Sequence, residues 1–440
     1  MRKLFGTDGI RGVANEYPIT IDVCRQLARA VVAKFCSSED RKHLIIIGKD
    51  TRISGDIFEH ALAASFASLG VDVQLLGVIP TPAFSVLVSK LKADMGIVIS
   101  ASHNPFYDNG IKLFNKLGLK LKDEEEAELE DLMAEQSSLK TPTHEKVGTI
   151  RANNHAVDIY IDEIKKAFHF KNTKLKIVVD SSNGALSKIA PKVFTDFGFD
   201  VVSLYDEPNG ININNNCGVT HPNTLSEAVV KHHADMGIAF DGDGDRVILA
   251  DETGHIVDGN QILAILSQTE GCREIVSTIM ANYGLEKYLQ ARGIKLIKTA
   301  VGDRYISEYM QNNSDARFGG EPSGHIIIKS HSLTGDGLFS GLKIIEMLIQ
   351  SEKKCSEFCN VFELCPTVSN NVRVKDKGII TDANVQRVIK ECEQELAGIG
   401  KLIVRPSGTE PLIRITAEGE NETKSQEIVK RITAAISGAE

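Results

Sequence analysis

This 440-residue sequence predicts an α/β protein: three homologous α/β domains with mixed sheets around a central cleft, plus a smaller C-terminal α+β domain. Three observations predict it. Ala93-Asp-Met-Gly-Ile97 recurs as Ala234-Asp-Met-Gly-Ile238, an internal repeat of five identical residues. A unit of strand, polar loop, helix, glycine and strand occurs three times at wide separation. Each unit then runs into a loop of unusual composition. In open α/β sheets, ligands sit beyond the carboxyl ends of the strands, so three such loops can face one cleft.

In chain order, Gly6 to Gly12 reads as a flexible, charged terminal loop, where glycines flanking Arg11 let a guanidinium and backbone approach an anion. Leu44 to Ile47 is a strand, residues 48–52 a loop, Phe58 to Leu69 an amphipathic helix closed by Gly70, and Val71 to Leu76 a strand. Ile97 to Ile99 reads as a buried strand that stops at the small polar residues Ser100 to Asn104, with Pro105 preventing continuation. Residues 124–135 form an acidic helix, read as a solvated face, and the polar stretch 137–148 is a boundary. Val157, Tyr160, Ile161, Ile164 and Phe168 mark one face of the helix that opens the second domain. The second copy runs from Ile177-Val-Val-Asp180 through Ser181 to Gly184, a helix, Gly198 and a strand near Val201. A third, fainter copy runs from Ile275-Val276 through Asn282 to Gly284, a short helix, Gly293 and Ile294 to Ile297. Cys365 to Asn370 is the last boundary. Beyond it come a strand at 371–374, a helix at 382–396, strands at 402–404 and 412–416, and a closing helix. The expected domains are 1–150, 151–255, 256–366 and 367–440.

Composition excludes several classes. A formal charge of −9 argues against a nucleic-acid partner. No apolar run reaches membrane-span length, and the residues after Met1 do not form a signal-peptide core, so no membrane partner and a cytoplasmic location are expected. Eight scattered cysteines read as reduced thiols; Cys355, Cys359 and Cys365 lack the spacing of a zinc site.

Asp241-Gly-Asp-Gly-Asp-Arg246 is the strongest chemical signal. The intervening glycines let the carboxylates of Asp241, Asp243 and Asp245 converge, and three hard oxygen ligands suit Mg²⁺ or Ca²⁺. An acidic surface turn would leave three like charges facing one another. With Glu252 the spacing also matches a calcium hand, but Arg246 stands where that loop needs glycine and Val247 to Ala250 reads as a strand. A serine hydroxyl at the tip of the 100–105 loop is a candidate nucleophile. The residues alone do not separate Ser100 from Ser102; His103 lies beside them and Lys112 follows. No Gly-x-Ser-x-Gly elbow and no Walker motif is present. A serine loop paired with a hard-metal loop therefore suits phosphoryl transfer from a donor that need not be a nucleotide. Arg405-Pro-Ser-Gly-Thr409, between strands, offers a guanidinium, hydroxyls and freed amides as a phosphate cradle. Glu321, Ser323 and His325, on a glycine-rich loop, offer donors and acceptors for sugar hydroxyls.

Together these motifs resemble the α-D-phosphohexomutase superfamily along the whole chain. They occur in order: Ser102-His-Asn-Pro105, Asp241 to Arg246, Gly320-Glu-x-Ser-Gly-His325, and Arg405 to Pro411. Leu4 to Gly12, Ile99 to Pro105 and Asp108 to Lys112 are most similar to the bacterial branch acting on glucosamine phosphates; Pro322 departs from it, at a position where that branch usually has glutamine. The resemblance implies an isomerase that interconverts glucosamine 6-phosphate and glucosamine 1-phosphate through a phosphoserine and a bisphosphorylated sugar, feeding UDP-N-acetylglucosamine synthesis. The alternatives are a mutase for mannose or glucose phosphates, or a non-catalytic phosphosugar-binding protein. It implies that Ser102 carries the phosphoryl group and, with Asp241, Asp243 and Asp245, holds Mg²⁺. Lys112 is the first choice as base, Arg11 and His103 assist in proton transfer or charge stabilisation, and Arg246 stabilises the intermediate. Glu321 and Ser323 hold the sugar, with His325 a nearby acid/base. Arg405, Ser407, Gly408 and Thr409 hold the non-reacting phosphate. The expected partner is a phosphorylated amino sugar, and the expected state is a monomer or homodimer.

Overall fold

The computed structural model describes all residues except 1–3, 7, 37–40, 136–138, 171–173, 408–410 and 440. They fall into two compact units: residues 1–280 with 294–360, and residues 281–293 with 361–440.

The first sheet contains β1 (Phe5–Gly6), β2 (Gly9–Val13), β3 (Leu44–Lys49), β4 (Asp72–Val78), β5 (Met95–Ile99), β6 (Asp108–Asn115) and β7 (Ile150–Ala152). Its order is β1-β2-β6-β5-β3-β4-β7. Around it lie α1 (Ile21–Phe35), α2 (Gly55–Ser68), α3 (Ala83–Lys90) and α4 (Asp123–Ala134). Next come α5 (Ala156–Ala167), β8 (Lys176–Asp180), α6 (Ala190–Asp196), β9 (Asp200–Leu204), α7 (Pro222–His232), β10 (Met236–Phe240), β11 (Val247–Asp251) and β12 (Ile256–Val257), giving a sheet of order β12-β11-β10-β8-β9. After α8 (Gly259–Ser267) come β13 (Glu274–Thr278), α9 (Tyr283–Gln290), β14 (Lys295–Thr299), α10 (Asp303–Asn312), β15 (Ala316–Gly320) and β16 (Ile326–Ile328), then α11 (Gly337–Ser351) and α12 (Cys355–Cys359). The third sheet has order β14-β13-β15-β16.

The three sheets share one plan. A first strand pairs in parallel with the second on one side and with a third on the other; the third then pairs antiparallel with a fourth. The repeated pentapeptide is scaffold. Asp94 accepts the Leu44 N–H at 2.9 Å and Asp235 accepts the Lys176 N–H at 2.7 Å, so each carboxylate closes the start of a first strand. Gly96 pairs with Ile46, and Gly237 with Val178. A Cβ on Gly96 would strike Phe84 and Val88 of α3, and one on Gly237 would strike Leu225 and Val229 of α7. Glycine therefore lets each helix close onto its sheet.

Two expectations are corrected. The stretch around Arg11 is not a loose terminal loop: Gly9–Val13 is a strand, paired antiparallel with β6 from Ile10↔Ile111 to Val13↔Asp108. Two glycines in five residues hide its strand character in the sequence. The acidic helix α4 is not wholly solvated, because Glu126 is 3% exposed and takes a bidentate pair of bonds from Arg304 of α10 at 2.7 and 2.9 Å. Arg and carboxylate are buried together there because each satisfies the other.

In the second unit, β17 (Thr367–Arg373), β18 (Gly400–Pro406) and β19 (Leu412–Gly419) form an antiparallel sheet of order β17-β19-β18. It is covered by α13 (Ala383–Leu396) and α14 (Glu422–Ala439), with Val385, Ile389, Ile413, Ile415, Ile428 and Ile432 in its core. The first strand begins at Thr367, earlier than the sequence indicated. Helix α9 belongs to this unit: Asn282 exchanges bonds with the Cys365 backbone at 2.9 and 3.1 Å, and Glu418 accepts the Tyr283 N–H at 2.8 Å.

Candidate active site

The loops after β5, β10 and β15 meet in the first unit. Backbone bonds join the last two: Val247 N–H donates to Gly324 O, and Arg246 bridges to His325.

The structure distinguishes the two serines. Ser100 is a bracket: its hydroxyl donates to Asp50 at 2.6 Å and accepts the Ser102 N–H at 2.9 Å. Ser102 stands at the tip in a left-handed conformation, φ 51°, which is rare for a residue with a Cβ and marks a backbone held by its surroundings. Its Oγ donates to Asp241 Oδ2 at 2.5 Å and lies 3.4 Å from His103 Nδ1.

Asp241, Asp243 and Asp245 are buried, and one oxygen from each lies within 4.8 Å of the others. Oδ1 of Asp243 and Oδ1 of Asp245 are buried without a hydrogen-bond partner. Two orphaned carboxylate oxygens beside a third carboxylate and a hydroxyl form a donor set suited to a hard divalent cation. Burial and its two acidic neighbours push the Asp241 carboxyl well above the usual range. Burial acts the same way on Asp245, but Lys112 and His325 outweigh it and hold Asp245 well below the range.

Lys112 is 1% exposed. Its Nζ lies 2.8 Å from Asp243, 2.9 Å from Asp8 and 3.6 Å from Asp245. Burial alone would lower its pKa; the three carboxylates reverse that and hold the ammonium. Arg11 pairs with Asp8, and its Nη1 donates to Ala101 O at 3.4 Å. Arg246 Nε lies 3.8 Å from Asp245, and its amide donates to Asp241 at 3.2 Å. Burial, with Arg246 and Arg11 nearby, pushes the pKa of His103 down to about 4, so its ring is neutral at pH 7. His325 lies between Asp245, 3.6 Å from Nδ1, and Asp303, 3.3 Å from Nε2, with the Gly335 amide 3.1 Å from Nε2. Glu321 accepts the Gly302 N–H at 3.3 Å, and Ser323 on the same loop is exposed.

The structure thus brings together Ser102, His103, Lys112, Arg11, the three aspartates, Arg246 and His325, with Glu321 and Ser323 on the adjoining loop. Arg405 and Ser407 belong to the second unit, where Lys377 donates to Ser407 O at 2.8 Å. Gly408 and Thr409 lie outside the described residues. Sequence reasoning missed four groups. Thr81 donates its hydroxyl to Asp243 Oδ2 and its amide to Asp243 O. Asp8 gathers Arg11, Lys112 and Lys120. Arg52 and Asn214 hold the serine loop by its Ser102 carbonyl. Thr81, Arg52 and Asn214 each lie far along the chain from the loop they serve, with only the triplet Pro80-Thr-Pro82 as a local signal; Asp8 lies within the Leu4 to Gly12 motif, three residues from Arg11, but its role depends on Lys112 and Lys120.

Four family models match the chain in succession. They are the phosphoglucomutase/phosphomannomutase alpha/beta/alpha domains I, II and III over residues 2–140, 158–254 and 258–365, and the C-terminal domain over 370–435. The sequence is 46% identical to a phosphoglucosamine mutase of Paramagnetospirillum magneticum, covering 99% of this chain and 98% of that one. It is 43% identical to the phosphoglucosamine mutase of Gluconacetobacter diazotrophicus, covering 100% and 98%. In fold it is similar to a phosphoglucomutase/phosphomannomutase family protein of Burkholderia thailandensis, with TM-score 0.82, 22% identity and coverage of 100% and 98%. It is also similar to an Aspergillus fumigatus N-acetylphosphoglucosamine mutase solved with GlcNAc-6P and magnesium, with TM-score 0.68, 16% identity and coverage of 99% and 96%. Among the described residues, no helix is long and apolar enough to cross a membrane.

Proposed function

The chain belongs to the phosphoglucomutase/phosphomannomutase family, and from that premise we propose that it catalyses the phosphoglucosamine mutase reaction, interconverting glucosamine 6-phosphate and glucosamine 1-phosphate. One observation carries the mechanism: Ser102 Oγ lies 2.5 Å from Asp241 at the edge of the three-aspartate cluster.

In the forward direction the phosphoryl group on Ser102 passes to the sugar 1-hydroxyl. The Oγ–P bond breaks, a sugar O1–P bond forms, and the hydroxyl proton leaves to a base. The 1,6-bisphosphate then turns in the site. Its O6–P bond breaks, an Oγ–P bond forms again on Ser102, and a proton returns to O6. Mg²⁺, held by Asp241, Asp243, Asp245 and the Ser102 group, would supply Lewis-acid neutralisation of phosphoryl charge.

Lys112 remains our choice for the proton-transfer group, and its surroundings set its state. Facing three carboxylates it is an ammonium and donates; once their charge is engaged elsewhere the same amine can accept. Neutral His103 stands beside Oγ as a second acceptor, and Arg11 and Arg246 stabilise negative charge on either side. Glu321 and Ser323 grip sugar hydroxyls, with His325 next to them as an acid/base. Arg405, Ser407, Gly408 and Thr409 bind the phosphate that is not reacting. In domain terms, residues 1–150 bring the serine, 151–255 the acidic loop, 256–366 the sugar loop and 367–440 the phosphate cradle. The eight thiols are unbridged and seven are buried, which suits a cytoplasmic enzyme.

The test has two parts. Purified protein is assayed with glucosamine, mannose and glucose 6-phosphates, and its intact mass is compared with that of Ser102→Ala. Preference for glucosamine 6-phosphate, and one phosphoryl group lost in the variant, are expected. Turnover by Ser102→Ala at the wild-type rate would refute the reading.

A further inference from the structure

The nucleophile candidate reaches Asp241 through its side chain, while its backbone carbonyl is gripped by residues outside the catalytic set. Arg52 is 3% exposed and Asp50 is 1% exposed. They pair at 2.8 Å, and Asp50 also accepts the Ser100 hydroxyl. The Arg52 guanidinium then spends its remaining donors on carbonyls of the serine loop: Nη2 on Ser102 O at 2.9 Å and Asn104 O at 2.8 Å, Nη1 on Asp108 O at 3.0 Å and on Pro105 O. From the second sheet's side, Asn214 Nδ2 donates to the same two carbonyls, Ser102 O at 2.8 Å and Asn104 O at 3.1 Å. Asn214 is itself buried, left-handed at φ 58°, and its amide is tied to Ser182 O at 2.9 Å. Gly242, between Asp241 and Asp243, completes the enclosure: a Cβ there would lie 2.7 Å from Ser102 O and 2.8 Å from Asn214 Nδ2.

We infer that Asn214 and Arg52 are positioning residues for the phosphoryl-carrying serine. They clamp the Ser102 carbonyl so that its left-handed backbone aims Oγ at the acidic loop. A left-handed serine costs energy that its own local contacts do not return, so the surrounding donors must fix it. A planar guanidinium forming several bonds at fixed angles, and a carboxamide donating to the same oxygen, together hold that carbonyl in place. Asn214 follows β9 and precedes the acidic loop, so the clamp also ties the serine loop to the part of the fold that carries Asp241. The inference rests on the phosphoserine reading above.

The test compares wild type with Asn214→Ala and Asn214→Asp, the first removing the donor and the second replacing it with an acceptor against a carbonyl. Each protein is first stripped of its phosphoryl group with a phosphatase; glucose 1,6-bisphosphate then serves as phosphoryl donor, Ser102 labelling is followed by intact mass, and kcat and KM are measured in parallel with thermal melting. A misplacement of about 1 Å at a reacting group costs on the order of 100-fold, so kcat and the labelling rate should fall by about 10- to 100-fold with KM within about twofold. Asn214→Asp should be the worse of the two, and Arg52→Lys should show the same kcat-selective loss. If wild type is not labelled at Ser102, both the phosphoserine reading and the clamp fall. If wild type is labelled and Asn214→Ala is labelled as fast with unchanged kcat, the clamp alone falls. A loss of kcat matched by an equal loss of folded protein would also overturn it.

Discussion

Replacing Asp243 by asparagine changes one charge and almost no volume, and the surroundings dictate how the amide must sit. Oδ2 of Asp243 accepts from Lys112 at 2.8 Å and from the Thr81 hydroxyl, both donors. The asparagine oxygen must keep that position, because an NH₂ group there would face two donors. The NH₂ group is then forced onto the Oδ1 side, in place of the buried oxygen that has no hydrogen-bond partner. A ligand oxygen is thus exchanged for a donor that cannot coordinate a cation. Lys112 keeps its hydrogen bond to the asparagine oxygen but loses the negative charge it faced there. At an effective dielectric of about 20, a pair 2.8 Å apart is worth about 6 kcal/mol before screening, so the lysine pKa falls by a few units at most. Asp8 at 2.9 Å and Asp245 at 3.6 Å remain, so the side chain stays an ammonium at pH 7 and its protonation does not explain the defect. The defect is electrostatic support of the transferring group, for which loss of one preorganised contributor costs about 100- to 1000-fold in kcat, about 3–4 kcal/mol. The Asp243 carboxylate accepts from Lys112 and Thr81 and not, among the described residues, from the sugar loop, so KM for the sugar should stay within about threefold. Steady-state kinetics over a Mg²⁺ series, paired with calorimetric Mg²⁺ titration, reads both effects. Unchanged Mg²⁺ affinity, or a KM that rises as far as kcat falls, would refute the reasoning.

Ser100→Ala should remain phosphorylatable at Ser102 but lose about 1–3 kcal/mol of stability, because the Asp50 carboxylate and the Ser102 amide both lose a buried partner; loss of the phosphoryl group in this variant would contradict the division between the two serines. Gly259→Ala would set a Cβ 2.0 Å from Glu321 O, displacing the sugar loop, so KM for the hexose phosphate should rise several-fold while Ser102 labelling is unaffected; an unchanged KM would count against Glu321 as a sugar contact. Burial pushes the Asp180 carboxyl up to about 6, although the Gly218 and Ser182 amides donate to it. Its folded pKa lies above its unfolded value, so its contribution to stability is full below about pH 4 and is lost as pH rises through 6, a difference of about 3 kcal/mol. Carbon-13 NMR of the carboxyl should show a midpoint near 6, and a midpoint near 4 would refute the assignment.

Much of this was legible because repetition and composition are local signals. The strand–helix–strand units showed in their glycines and apolar runs, and the glycines between Asp241, Asp243 and Asp245 leave the backbone free to bring the three carboxylates together. The calcium-hand alternative failed where the sequence reading had it fail, since Val247–Asp251 is a strand. What stayed hidden depended on contacts between distant residues. Nothing near Ser100 distinguishes it from Ser102; the distinction is made by Asp50, fifty positions away, and by a backbone angle. The strand at Gly9–Val13 has no alternation to betray it, and Glu126 looks like its acidic neighbours until Arg304 meets it.

The twin carboxylates of Asp94 and Asp235 carry a consequence for how chemistry is laid out along the chain. By fastening the start of one strand beside the start of its parallel neighbour, each acts as a ruler, setting where the neighbour must run out. Six positions on from the first stands Ser100, and six on from the second stands Asp241. A slip of one residue in either ladder would reverse every side chain of that strand and turn the loop's working groups away from each other. The same measured length thus ends once in a bracket for a hydroxyl and once in an acid, and new chemistry can be written past the mark without disturbing what lies before it.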